Sequence, residues 1–408
     1  MGQGCGGSFP VLLSGDAKLD RDLDAVRGIK VTERVTKTRS DSIPPLDLKA
    51  QYASIQNEIK AAINAVLESQ QFILGPQGNA LEAEVAEYCG TRFAVGVASG
   101  TDALILALHA SGVGPGDEVL LPAFSFIASA DTVSLLGAKP VFTDIRPDTF
   151  NIEVEQLARR ITSRTKAIMP VHLYGQPADL DPILSLAQKH GLKMVEDNAQ
   201  AIGATYKGRR TGSFGDFGCI SFFPSKNLGA YGDGGMILTN SEEDAERLRK
   251  LRNHGSAKKY FSTEQGWNSR LDEIQAAILR IKLRHLDAWA VARGEKAAAY
   301  DRLLSGIPGV VSPAVAAWAE HVYHQYTIRV LRRDHVQEVL AAHGIASTVY
   351  YPIPMHLQPI YSSLGYKPGD LPESERAAAE VLSLPIYPEL TEDQVARVAE
   401  ALASALRA

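Results

Sequence analysis

Three cysteines in 408 residues, Cys5, Cys89 and Cys219, are too few and too scattered to build a disulfide framework or hold zinc. That scarcity points to a reducing compartment, and the cytoplasm is expected. No apolar run approaches the length needed to cross a bilayer. The N-terminus has no basic stretch leading into an apolar core, so no secretory leader is expected. Met1-Gly2 could open a myristoylation signal, but Gly6 stands where that signal needs Ser or Thr. Excess positive charge is missing too: 42 Lys and Arg against 47 Asp and Glu leave a net charge of −5. Neither nucleic acid nor an anionic membrane is therefore expected as a partner.

What is present is ordinary globular material, 45% hydrophobic and 22% charged, enough for a large core and more than one domain. Residues 1–42 are Gly-rich and then polar, with no sustained apolar period. They are expected to form a disordered extension that carries no chemistry. From Tyr52 to Leu67, Ile55, Ile59, Ile63 and Val66 recur at helical spacing, and a second amphipathic helix should end near Cys89-Gly90.

A regular alternation follows. Strands are expected at Phe93–Ala98, Glu118–Leu121, Pro140–Ile145, Ala167–Leu173, Lys193–Glu196, Phe217–Phe223 and Met236–Thr239, most separated by helical patterns. Continuous apolar strands alternating with helices predict an α/β domain whose mainly parallel seven-stranded sheet is sandwiched by helices. We assign this large domain to 43–285. A long helix from Leu271 to Tyr300 should lead into a smaller α+β domain, 286–408. That domain would hold strands near Tyr323–Val330 and Ala346–Tyr350, and a last helix, Thr391–Leu406, capped by Thr391 and Asp393.

One stretch organises the rest. The apolar run Phe217–Phe223 stops at Pro224-Ser225-Lys226, and a loop with four glycines follows, Gly229, Gly232, Gly234 and Gly235. A strand that ends this way leaves its last residues at the sheet edge where doubly wound folds bind ligands. Lys226 there is either a desolvated amine fit to condense with an aldehyde, with Ser221 and Ser225 beside it, or a solvated loop lysine. Three more features lie at strand ends. Ser99-Gly100-Thr101 offers free N–H groups for a phosphate, or a plain N-cap. Phe126 is either core or the stacking face for a flat ligand. Asp197, in Glu196-Asp197, needs a cation, either an arginine or a protonated pyridine nitrogen. Together with Lys226 these are the parts of one cofactor site.

From Ile43 to the C-terminus the chain resembles the nucleotide-sugar aminotransferases of the DegT/DnrJ/EryC1/StrS family, which have the PLP-dependent transferase fold type I. The resemblance rests on Leu46-Asp47-Leu48, Ser99-Gly100-Thr101-Asp102-Ala103-Leu104, Glu196-Asp197 with Gln200 and the Ser-Phe-Phe-Pro-Ser-Lys run ending at Lys226. Gly232-Asp233-Gly234-Gly235, Asn268-Ser269-Arg270-Leu271-Asp272 and Tyr351-Pro352-Ile353-Pro354 complete it. It implies pyridoxal 5'-phosphate (PLP) attached to Lys226, with Asp197 on the ring nitrogen and Gln200 near the phenolic oxygen. It places Gly100, Thr101 and Ser221 on the phosphate, with Asn268 reaching the phosphate of the neighbouring subunit in a homodimer. Arg270 would clamp the carboxylate of the amino donor, glutamate, and Tyr351 would meet the nucleotide-linked keto-sugar. Lys258, Lys259 and Arg270 are candidates for gripping its diphosphate.

Two positions depart from the family pattern. Asn198 stands where many members have Ala, and Tyr350 where several have His. The loop Asn227–Gly235 resembles members that aminate carbon 3 of the hexose, and Leu228 and Tyr231 are expected beside the reacting carbon. Carbon-4 amination, a sugar dehydratase and a catalytically silent regulatory protein are the alternatives. The dehydratases carry His at the position of Lys226.

Overall fold

Valine, isoleucine, leucine and phenylalanine recur in the short runs between residues 93 and 239, and such side chains suit strands buried on both faces. The computed structural model describes residues 42–258 and 260–407. The extension expected over the first residues lies outside them, apart from Ser42. The seven runs are strands of one sheet: β1 Phe93–Val97, β2 Glu118–Pro122, β3 Lys139–Thr143, β4 Thr165–Ile168, β5 Lys193–Asp197, β6 Phe217–Ser221 and β7 Gly235–Thr239. Their order is β1-β7-β6-β5-β4-β2-β3. Only β7 is reversed, antiparallel to both β1 and β6; the other pairs are parallel. The carboxyl ends of β1, β2, β5 and β6 therefore meet the amino end of β7 along one edge, where open α/β sheets bind ligands.

Helices α1 Leu48–Ser69 and α2 Pro76–Cys89 precede the sheet, and each is capped by a carboxylate. Asp47 accepts from the N–H groups of Lys49 and Ala50, both at 3.0 Å. The buried Glu273 reaches across the fold to accept from Gly75, Gln77 and Gly78 at 2.7–2.9 Å. Helix α3, Gly100–Ala110, leaves β1 directly, and α4, Ala128–Leu135, follows β2.

The long helix expected from Leu271 to Tyr300 is two helices, Glu273–Leu283 and Leu286–Leu304. Tight turns end the first one, with Arg284 N–H on Ile281 O and His285 N–H on Lys282 O. Lys282 is fully buried there and donates to the carbonyl of Gly229. The C-terminal sheet also differs from expectation. Its strands are Val310–Val311, Tyr326–Val330 and Val381–Leu384, and from 346–350 only Thr348 pairs, in a single bridge to Ser383. Tyr350 instead lines the cleft described below. Helix Glu392–Arg407 is capped reciprocally by Thr391 and Gln394, and Asp393 plays no part in the cap. Ile43 packs into the core of this C-terminal part, bridged to Ile345.

Candidate active site

A cleft of about 370 Å³ opens at the shared strand edge. Lys226 is placed in it by the turn that ends β6. Phe222 turns into the core, Lys226 N–H closes a turn on Phe223 O at 2.8 Å, and Ala230 N–H returns to Phe222 O at 2.7 Å. Burial lowers the Lys226 amine to about 8, against the pull of Asp197, whose charge favours the ammonium. That is the desolvated-amine alternative, and it makes the neutral nucleophile accessible near physiological pH.

The Ser99-Gly100-Thr101 turn serves both of its expected readings. Ser99 Oγ caps α3 by accepting from Asp102 N–H at 3.1 Å, while Gly100 and Thr101 begin the helix with N–H groups that have no intrahelical acceptor. Gly100 sits so close to the end of β6 that a Cβ there would lie 2.6 Å from Ser221 Cβ and 2.9 Å from its Oγ. Only glycine lets the turn and the Ser221 hydroxyl share one hollow, a cradle of the size and polarity that suits a phosphate at a helix N-terminus.

The two carboxylates in succession have separate tasks. Glu196 is fully buried, and its oxygens accept from His172 Nε2 at 3.0 Å and from the N–H groups of Gly212, Phe214 and Gly215 at 2.7–2.8 Å. Burial alone would push this carboxyl up, but the His172 and backbone hydrogen bonds outweigh it and hold it below its ordinary value. Asp197 is only 5% exposed yet lines the cleft. It accepts from Ser129 Oγ at 2.7 Å and from Ala199 N–H at 3.2 Å, neither of them cationic. A buried carboxylate so placed is completed by a cation that enters the cleft.

Gln200 has both ends of its amide fixed: Oε1 accepts from Tyr174 N–H at 2.7 Å, and Nε2 donates to Tyr351 OH at 3.1 Å. Burial raises the Tyr351 phenol, so it remains protonated. Phe124 is core, whereas Phe126 is 54% exposed and faces the cleft, its ring 6.1 Å from that of Tyr351. The structure thus brings Gly100, Thr101, Phe126, Asp197, Gln200, Ser221, Lys226 and Tyr351 around one cleft.

Asn268 and Arg270 do not line the cleft of their own chain. Asn268 is exposed and bridged to Asn253, and Arg270 donates to Asn253 Oδ1 at 3.1 Å. Lys258 is exposed on a short hairpin, and Lys259 lies outside the described residues. Leu228 and Tyr231 are not beside the cleft either, contrary to expectation. Leu228 is fully buried in the core cluster beside α2. Tyr231 is pinned outside the cleft by Gln275, Tyr52 and Lys282. The residues of this loop that meet the cleft are Asp233 and Gly234.

Sequence reasoning missed Ser129 and the turn His321–Gln325. Ser129 carries no signal, since its importance lies in a contact with Asp197 68 residues away. The turn does carry one, a dense run of ring-bearing polar residues, His321-Val322-Tyr323-His324. It is pressed against the site by bonds from Val322 N–H to Gly175 O and Gln325 N–H to Tyr174 O. Gly175, at φ +99°, permits this approach: a Cβ there would lie 2.9 Å from His324 N.

The family model for DegT/DnrJ/EryC1/StrS aminotransferases matches residues 53–403. The chain is 52% identical over 368 residues to the "pleiotropic regulatory protein" of Geobacillus stearothermophilus, spanning 90% of this chain and 99% of that one. It is 51% identical over 362 residues to the UDP-N-acetyl-3-dehydro-α-D-glucosamine 3-aminotransferase of Acidithiobacillus ferrooxidans, spanning 89% and 97%. It is 48% identical over 367 residues to the dTDP-3-amino-3,4,6-trideoxy-α-D-glucose transaminase of Streptomyces venezuelae, spanning 90% and 97%. Among solved structures, that of S. venezuelae DesV in complex with a ketimine intermediate superposes with a TM-score of 0.88 at 48% identity, covering 90% of this chain and 99% of that one.

Proposed function

This chain belongs to the DegT/DnrJ/EryC1/StrS aminotransferase family, and on that basis we propose that it moves an amino group from glutamate to the carbon-3 ketone of a hexose linked to a nucleoside diphosphate. The observation that carries this reading is the convergence of Lys226, Asp197 and the Gly100–Ser221 cradle on one cleft. The residues fit pyridoxal phosphate: a hollow for its phosphate, a buried carboxylate with no cation bonded to it among the described residues, and a lysine in the same cleft to attach it. When bound, PLP supplies an aldehyde and an electron-withdrawing ring that stabilises negative charge on the carbon losing its proton.

The chain's own groups do the rest. Lys226 Nζ attaches the cofactor. Once displaced, it takes a proton from the donor's α-carbon and returns one at the acceptor stage. Asp197 would face the ring nitrogen, Gln200 and Tyr351 line the same cleft, and Phe126 presents its exposed ring to it. Two half-reactions through one site predict ping-pong kinetics.

Carbon 3 is supported by the names of the A. ferrooxidans and S. venezuelae relatives, whose substrates are UDP- and dTDP-linked. The buried Leu228 and pinned Tyr231 remove the steric argument from those two side chains, so discrimination falls to the cleft lining itself. The test is kcat/KM for matched 3-keto and 4-keto nucleotide sugars with glutamate. A higher value for the 3-keto sugar is expected, and a clear preference for the 4-keto sugar would reassign the carbon. The name of the G. stearothermophilus relative favours a regulatory reading. A regulator would have no use for a lysine with its amine lowered by burial beside the buried carboxylate of Asp197.

The same reading makes the active unit a homodimer with shared sites. Asn268 and Arg270 stand outside their own cleft. The exposed apolar run Phe72-Ile73-Leu74, each residue about two-fifths exposed, offers a surface for a second copy. Mixing the inactive variants Lys226→Ala and Arg270→Ala should restore about one quarter of the wild-type activity, because hybrid dimers keep one intact site. Hybrids that form and stay silent would show that Lys226 and Arg270 of one chain serve that same chain's site. Three scattered cysteines, of which Cys89 and Cys219 are buried and free, favour a cytoplasmic setting.

A further inference from the structure

Asn227 follows the reactive lysine directly, and its buried side chain is held by the His321–Gln325 turn. Its Nδ2 donates to Val322 O at 3.2 Å, which leaves Oδ1 as an acceptor. The partner of Oδ1, His324 Nδ1 at 3.2 Å, must then carry the hydrogen. In the neutral ring the lone pair is on Nε2. That atom makes no hydrogen bond within the described residues yet is not sealed in, because His324 lines the same cleft as Lys226.

The imidazole stays neutral. Burial drives its pKa well below the ordinary value, and the nearby charges of Lys226 and Arg293 act in the same direction. His321, stacked at 4.0 Å on Tyr323, is itself pushed down to about 3 by burial. Among the described residues, the carboxylate whose charge acts on Lys226 is Asp197. A lysine freed from its cofactor therefore shares its cleft with a carboxylate and with an unprotonated ring nitrogen.

We propose that the Asn227–His324 pair is a positioning device for Lys226, in which His324 Nε2 accepts a hydrogen bond from the lysine ε-amino group whenever that group is not covalently engaged. The lysine is then held at both its backbone and its amine, and its swing between proton donor and proton acceptor is confined. An acceptor of this kind favours the ammonium, so it opposes part of the effect of burial.

This inference rests on Lys226 being the reactive lysine and not on which sugar is aminated. The test uses the full chain loaded with the pyridoxamine form of the cofactor, in which Lys226 is free. Its acetylation rate is followed against pH by peptide mass spectrometry. His324→Phe keeps a ring of similar bulk but presents no acceptor to the cleft. Its Lys226 titration midpoint should fall by about one pH unit, equivalent to a tenfold shift in the protonation equilibrium. His324→Leu, smaller and likewise without any polar atom, should show the same fall if the Phe variant fails to hold cofactor. A loaded variant of either kind that keeps the wild-type midpoint overturns the proposal. Cofactor mapped to another lysine would instead overturn the attachment site and would be seen independently.

Discussion

Lys226→Ala should lose turnover by about four orders of magnitude, because positioned proton transfer alone is worth about 10²–10⁴ and the covalent attachment point goes with it. The protein should still fold, since Lys226 Nζ makes no hydrogen bond among the described residues and the turn around it is closed by backbone groups of Phe222, Phe223 and Ala230. Lys226→Arg is the sharper control. A guanidinium keeps the charge facing Asp197 but does not give up its proton in a protein, so the loss should be just as deep. Small primary amines added to Lys226→Ala should restore part of the activity, while leaving Lys226→Arg inactive. In the wild type the base is the neutral amine, which forms as pH rises through about 8. Proton abstraction should therefore quicken up to that pH and then level off. The same shift has a stability consequence. Between about 8 and the ordinary 10.5 the unfolded lysine still holds the proton that the folded one has released, so this group's contribution to stability rises with pH across that window. Borohydride reduction of the holoenzyme followed by peptide mapping identifies the attachment directly, and an adduct on a different lysine would end this assignment.

The strands and the site were legible in the sequence to different depths. Runs such as Glu118–Pro122 and Phe217–Ser221 announce themselves because burial on both faces leaves almost no polar residue in the middle. Gly100, Asp197 and Lys226 were legible because each sits at a strand end, where a small set of residue types meets a specific chemical need. Boundaries near the C-terminus were not. Nothing local in Glu273–Leu304 marks the break at Arg284-His285, which depends on Lys282 turning inward to a carbonyl 53 residues away. Nor could the short Val381–Leu384 be preferred over 346–350 as a strand, because both contain β-branched residues and only tertiary packing chooses between them. The roles given to Leu228 and Tyr231 failed for a related reason. Proximity in sequence to Lys226 said nothing about which way a four-glycine loop would turn its side chains.

Asp197→Asn should keep the fold and the cofactor yet lose about 10²–10³ in kcat, the scale of one preorganised electrostatic group in a water-poor site. The substitution is nearly silent structurally. Asn can still accept from Ala199 N–H through its oxygen, while its amide donates to Ser129 Oγ, whose own hydrogen can turn to Ser125 Oγ, 3.3 Å away. What goes is the negative charge, and with it the hold on a proton at the cofactor's ring nitrogen. A second readout follows from the same charge. Asp197 favours the ammonium of Lys226, so in the Asn variant the lysine should titrate below its wild-type midpoint of about 8. Asp197→Ala confounds these effects, because it strands both the Ser129 hydroxyl and the Ala199 N–H. Glu196 does not take over in the Asn variant: all its acceptor capacity is directed to His172 and three backbone N–H groups inside the fold. Asp233 is the other carboxylate at the cleft, and it is exposed at the mouth. Near-normal turnover in Asp197→Asn, with cofactor bound and the Lys226 midpoint unmoved, would transfer the role to Asp233.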